Sequence, residues 1–64
     1  MTIGDNIRAA RDAACWTQQE AADRAGMKQP NWCAYEHGGR VPSVAVLRRI
    51  AKALKCEVID LIGK

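Results

Sequence analysis

The sequence predicts an all-α protein of five short helices. Three observations carry that prediction. Apolar residues recur every three or four positions, the spacing of one helical face, and no segment alternates as a half-buried strand would. Thr or Ser precedes three of these runs, where a side-chain oxygen can cap the first free amide groups. Glycines at 26 and at 38–39 close two of them, because glycine adopts the left-handed conformation that ends a helix at little cost.

The first helix is expected from about Ile3 to Ala14. Thr2 can cap it, with Asp5 completing a weak capping box. Ile3, Ile7, Ala10 and Ala14 line one face, while Asn6, Arg8 and Asp12 fall mostly elsewhere. Thr17 and Glu20 make a better capping box for a second helix, Gln18 to about Ala25. Trp16 stands just before that cap, where it can act as a hydrophobic staple. Ala21, Ala22 and Ala25 form its apolar face, and Gly26 ends it. The third helix restarts near Gln29, since Pro30 is tolerated only in a first turn, and runs to Glu36 or His37. Trp32, Tyr35 and Glu36 share one side; Lys28, Gln29, Asn31, Cys33, Ala34 and His37 look other ways.

After the loop Arg40-Val41-Pro42, Ser43 caps a fourth helix. Val44, Leu47, Ile50, Ala51 and Leu54 are expected to face inward, and Arg48, Arg49, Lys52 and Lys55 outward. Lys52 and Lys55 suit the negative end of its dipole. A last short helix, Val58 to Ile62, is expected to turn Val58, Leu61 and Ile62 inward.

With 64 residues, the chain is expected to be one domain, 1–64. Hydrophobic residues make up 48%, a globular content, but much of this is alanine and Phe is absent, so the core must be thin in places. The net charge of +3 and a pI near 9.0 fit a nucleic-acid or anionic-surface partner; an ordinary basic surface is the alternative. Cys15, Cys33 and Cys56 are odd in number and lack C-x-x-C spacing, which argues against a disulfide framework or zinc site and for a reducing, cytoplasmic setting. No membrane span or signal peptide is visible. Cys33 and His37 lie one turn apart, but no third ligand or orienting carboxylate follows them. Neither a metal, a cofactor nor an enzymatic role is expected.

The second and third helices, joined by a tight glycine turn, read as a helix-turn-helix over about residues 17–36. Gln18, Ala22 and Gly26 recur at a spacing of four. Ala22 falls where the two helices cross, so a bulky side chain there would push them apart. Trp32 and Tyr35 then fit the core side of the third helix.

The stretch TQQEAADRAGMKQPNWCAYEHG resembles the lambda-repressor-like, or Cro-like, helix-turn-helix family, also called the xenobiotic-response-element type. The later PSVAVLRRIAKALKCEVIDLI is similar to the family's fourth and fifth helices, so the resemblance covers Ile3 to Ile62. It implies a five-helix fold and sequence-specific binding of double-stranded DNA, usually by a dimer that regulates transcription. Trp32 stands where family members usually carry Ile or Val, and Ala21 and Ala25 where they often carry Leu. A volume trade is therefore expected, with the large residues of the third helix filling space left by alanines of the second. A solvent-exposed Trp32, used for stacking or dimerisation, is the alternative.

The resemblance gives the outer side of the third helix to the DNA major groove, where each base pair shows its own donor and acceptor pattern. Gln29 is expected to pair with adenine, Lys28 with guanine or a phosphate, and Asn31 with either, while Cys33 and Ala34 meet a thymine methyl. Gln18, His37 and Arg40 are expected to clamp the backbone, helped by the amide-rich start of the second helix. An ordinary solvated face is the alternative, and the more natural one for Arg48 and Arg49. Two residues depart from the family pattern. Lys28 replaces the usual Ser or Thr cap, and Pro30 occupies a position that often supplies a polar base contact, so no known operator transfers.

The resemblance also suggests that Arg11 and Glu36 form a partly buried ion pair between the first and third helices; two independent surface charges are the alternative. Cys56 is expected to fill the core, and the choice of Cys15 has no account. Val46, Ile59 and Ile62 are candidates for an exposed dimer patch, Ile59 because its position is usually polar in the family. The reading that follows is a bacterial or phage-encoded DNA-binding regulator, probed against a protein-binding module of the same fold, antitoxin or adaptor in kind, with a separate protein partner.

Overall fold

Five helices follow one another along the chain: α1 (Ile3–Ala13), α2 (Gln18–Ala25), α3 (Gln29–His37), α4 (Val44–Leu54) and α5 (Val58–Ile62). They come from a computed structural model, which describes residues 2–63. Among the described residues there is no strand, and no helix is long and apolar enough to cross a membrane.

The caps explain where the helices begin. Thr2 and Thr17 each accept the backbone N–H three residues on, and Asp5 and Glu20 reach back to the capping residue's own N–H. Each box satisfies two amide groups that a helix start leaves free. Ser43 caps α4 through the Val46 N–H. α2 stops at Gly26, whose φ of 71° lets the Met27 N–H return to the Ala22 carbonyl at 2.9 Å. α1 ends one residue before the expected boundary. Cys15 there adopts a left-handed φ of 60°, which accounts for glycine being the natural choice; nothing in the structure explains the cysteine.

The core joins all five helices. Ile7, Trp32, Ile50 and Leu61 are the largest fully buried side chains, with Ala21, Ala22, Ala25, Ala51, Tyr35 and Leu47 around them. Trp32 is thus enclosed in the same cluster as the α2 alanines rather than exposed, as the volume trade requires. α3 lies against both α1 and α2, while α4 closes the far side of α2 and α5 caps α1. Gly4 sits where α1 and α3 approach most closely: a Cβ built on it would lie 2.5 Å from the Glu36 carbonyl oxygen and 2.6 Å from that of Tyr35. Asn6, expected to fall off the packed face, instead donates to the Leu61 carbonyl at 2.8 Å and fastens α1 to α5.

Three apolar residues depart from their expected positions. Val44, the first residue of α4, is 63% exposed. Val46, a candidate for the exposed patch, is half-buried against the core. Ile62 is 51% exposed and Ile59 56%, so of the end of α5 only Leu61 is sealed in, with Val58 partly so. The spacing puts Val58, Leu61 and Ile62 on one side of α5, but Ile62 is the last residue of the helix and lies outside the core cluster.

Candidate nucleic-acid interface

The third helix has a polar network behind it. Glu36, on its inner side, is buried, and its carboxylate receives four donors. The Arg11 guanidinium donates Nε–H to Oε2 and Nη2–H to Oε1, the latter at 3.2 Å; the Trp32 indole N–H donates to Oε2; and the Gln18 amide donates to Oε1 at 3.0 Å. Burial pushes the Glu36 pKa up, but these hydrogen bonds and the Arg11 charge outweigh it and hold the carboxyl below its ordinary value. Arg11 also donates to the Trp16 carbonyl at 2.8 Å, so one side chain ties together α1, the α1–α2 loop and α3. Among the described residues no buried side-chain polar atom lacks a partner. A buried ion pair is worth little to stability unless so completely bonded; here it also fixes the rotation of α3.

The network reaches the surface through Gln18. Its amide donates to Glu36, and its carbonyl oxygen accepts the Gln29 amide at 3.0 Å. Its side chain, half-buried, thus links the buried carboxylate to the first residue of α3 and keeps one amide hydrogen free for the phosphate contact expected of it. A side-chain amide carries two N–H donors and an acceptor oxygen. Gln29 spends one donor on Gln18, so one N–H and the oxygen remain. That pair is what bidentate recognition of adenine requires.

The other residues of this face are disposed as follows. Lys28 is exposed and makes no side-chain cap bond to α3, and Pro30 occupies its first turn. Asn31 is half-exposed and accepts from Arg40 at 3.3 Å; the Arg40 guanidinium also lies over the Tyr35 ring at 5.8 Å from its centroid. Arg40, far along the loop, is thereby brought beside the recognition face. Cys33 and Ala34 are half-buried and His37 is exposed. Among the described residues no three His, Cys, Asp or Glu side chains gather as metal ligands would.

Arg49 is a residue whose role the sequence hid. It reads as one more solvated cation of α4, yet it donates to the Gly26 carbonyl in the turn between α2 and α3. Carbonyls at a helix end attract cations, and this contact anchors the turn to α4. Its only sequence signal is Arg at a helical position flanking the core face.

Two helices of eight and nine residues, joined by a left-handed glycine, with a polar outer face and a buried inner one, define a helix-turn-helix protein. Comparison with known proteins agrees: a helix-turn-helix domain family model matches residues 2–61, and the chain belongs to that family. It is 38% identical over 61 residues to the competence pilus inhibition repressor of Acinetobacter baylyi, a match covering 95% of this chain and 56% of the relative. It is 42% identical over 52 residues to an uncharacterized HTH-type transcriptional regulator of Mycobacterium tuberculosis, covering 81% of this chain and 37% of that protein. The chain thus spans between about a third and a little over half the length of these relatives. No solved structure gives a significant match.

Proposed function

We propose that this chain is a sequence-specific DNA-binding transcriptional regulator that reads the major groove with α3. The observation that carries the reading is the chain of hydrogen bonds from Glu36 through Gln18 to Gln29. A side chain meant only for solvent gains nothing from being fixed, whereas base readout needs its donor and acceptor preset in direction. Lys28, Asn31, Cys33 and Ala34 complete the reading face. His37, Arg40 and the amide-rich start of α2 hold the phosphates. The printed names of the relatives, a repressor and a transcriptional regulator, support the same reading.

The finer form of the proposal is a repressor-type protein acting as a two-fold dimer in the bacterial cytoplasm. The exposed Ile59 and Ile62 on α5 are the apolar surface a second copy would cover. Such a dimer sets two α3 helices about 34 Å apart on a palindromic operator.

Selection of bound duplexes from a random DNA pool tests this directly. An enriched palindrome with half-sites one turn apart is the expected result; the absence of any enriched sequence would remove specific DNA binding. With that operator, Gln29→Ala should cost about 1–3 kcal/mol and relax preference at one base pair. Sedimentation of the free and DNA-bound protein decides the dimer, and a monomer in both states would exclude it.

A further inference from the structure

We infer that the cleft between α2 and α4, lined by Arg24, Ala25, Arg49, Lys52 and Ala53, docks an acidic, apolar-containing segment of a partner protein. The cleft encloses about 430 Å³ and is open to solvent. Its lining is three cations and two alanines. Among the described residues none of the three cations lies within salt-bridge distance of a carboxylate. Two of them are nevertheless held in place. The Arg24 guanidinium stacks over the Trp16 ring at 4.5 Å from its centroid, and Arg49 is tied to the Gly26 carbonyl. Two preset guanidinium groups and a mobile ammonium, unpaired, call for carboxylates or phosphates.

The surroundings favour carboxylates on a polypeptide. Phosphate sites draw on helix N-termini and free backbone N–H groups. Here α2 contributes its last turn and α4 the half of the helix nearer its C-terminus, so the cleft is not built at a helix N-terminus. The two alanines offer apolar contact that an inorganic anion cannot use but an aliphatic side chain can. A second copy of this chain is a poor source of the acids. Of its seven acids, Asp5, Asp12, Glu20, Asp23, Glu36 and Asp60 already have hydrogen-bond or ion-pair partners within the chain, which leaves Glu57 as a single free carboxylate to meet three cations.

The cleft shares no lining residue with the proposed reading surface. A partner seated there leaves Lys28, Gln29 and Asn31 free, and the inference holds whether or not α3 reads DNA.

The test uses ¹⁵N-labelled protein at moderate salt and four probes. These are a synthetic peptide of Asp, Glu and Leu, the same peptide with Gln for every acid, inorganic pyrophosphate, and a duplex of arbitrary sequence. The acidic peptide should shift the amides of Arg24, Ala25, Arg49, Lys52 and Ala53 saturably, and the Gln peptide should not. Lys52→Glu should weaken that binding roughly threefold to tenfold. Its thermal unfolding should fall only slightly, because Lys52 is exposed and makes no side-chain bond, although a Glu there opposes the α4 dipole. Arg24→Gln should weaken peptide binding comparably. Duplex shifts should fall on α3 instead; if duplex binding is lost while the peptide still maps to the cleft, the DNA-binding proposal fails and this one stands. Tighter binding of pyrophosphate or duplex in the cleft, peptide shifts confined to α3 and Arg40, self-association through the cleft, or full affinity in Lys52→Glu would overturn it.

Discussion

Gly4→Ala sets two effects of opposite sign against each other. On intrinsic propensity alone the change should help α1, since alanine is favoured over glycine within a helix by about 1 kcal/mol. The packing opposes it. The new Cβ would stand 2.5 Å from the Glu36 carbonyl oxygen and 2.6 Å from that of Tyr35, where ordinary contact begins near 3.4 Å. Both obstacles are backbone atoms of α3, so no side chain can swing aside. The helices must separate by nearly an ångström, which strains the Arg11–Glu36 bridge and loosens Trp32. Overpacking of a tight contact costs typically 1–3 kcal/mol and sometimes more. The clash lies at the severe end, so a net loss of about 2 kcal/mol is expected after the propensity gain. Gly39→Ala is the control: its nearest neighbour would be 3.8 Å away, and its backbone is not left-handed. That variant should be neutral or slightly stabilised. Urea unfolding of both variants beside the parent decides the matter. A Gly4→Ala protein as stable as the parent would show that α1 and α3 do not meet through backbone at this point, and the account of how α3 is seated would fall with it.

Three further outcomes are expected. Trp32→Ala should lose roughly 3–5 kcal/mol, while Trp32→Phe should lose less, keeping most of the packing but giving up the indole donor to Glu36; a Trp32→Phe protein as stable as the parent in denaturant titrations would show that the indole hydrogen bond adds nothing, and one as unstable as Trp32→Ala that the packing adds nothing. Cys15→Gly should raise stability by about 1 kcal/mol, because the left-handed φ of 60° penalises every side chain with a Cβ; an unchanged unfolding midpoint would refute this. The Glu36 pKa is lowered on folding, so its contribution is present above the ordinary value of 4.5 and is lost as pH falls below it. Asp5 and Glu20, lowered by their capping bonds, add in the same direction. Stability should fall with acidification in that window, and Glu36→Gln should flatten the slope, read from thermal unfolding between pH 3 and 6 at about half-unit steps.

The helices themselves were legible in the sequence because their signals are local. A capping box needs residues three apart, a left-handed stop needs one glycine, and an apolar stripe needs one helix; none depends on what lies across the fold. Hence α2, α3 and α5 begin and end where Thr17, Gly26, Pro30, Gly38 and Val58 indicate. The inner side of α3 was legible for the same reason, since Trp32, Tyr35 and Glu36 share one face in any helix.

What the tertiary structure decided are the contacts between residues far apart in the chain. Gln18 and Gln29 each read as a surface amide, and only the crossing of α2 over α3 brings them to 3.0 Å and turns the first toward Glu36. Arg49 and Gly26, separated by 23 positions, meet only because α4 packs behind the turn. Val44 is exposed and Val46 packs against the core, the reverse of what was expected, because exposure depends on which other helices reach a position, which no periodicity within α4 encodes. The sequence by itself settled the apolar faces of α2 and α3 and where those two helices stopped, through bonds that close within one turn; the fold settled which polar groups found partners, since a buried hydrogen bond is fixed by distances across the core.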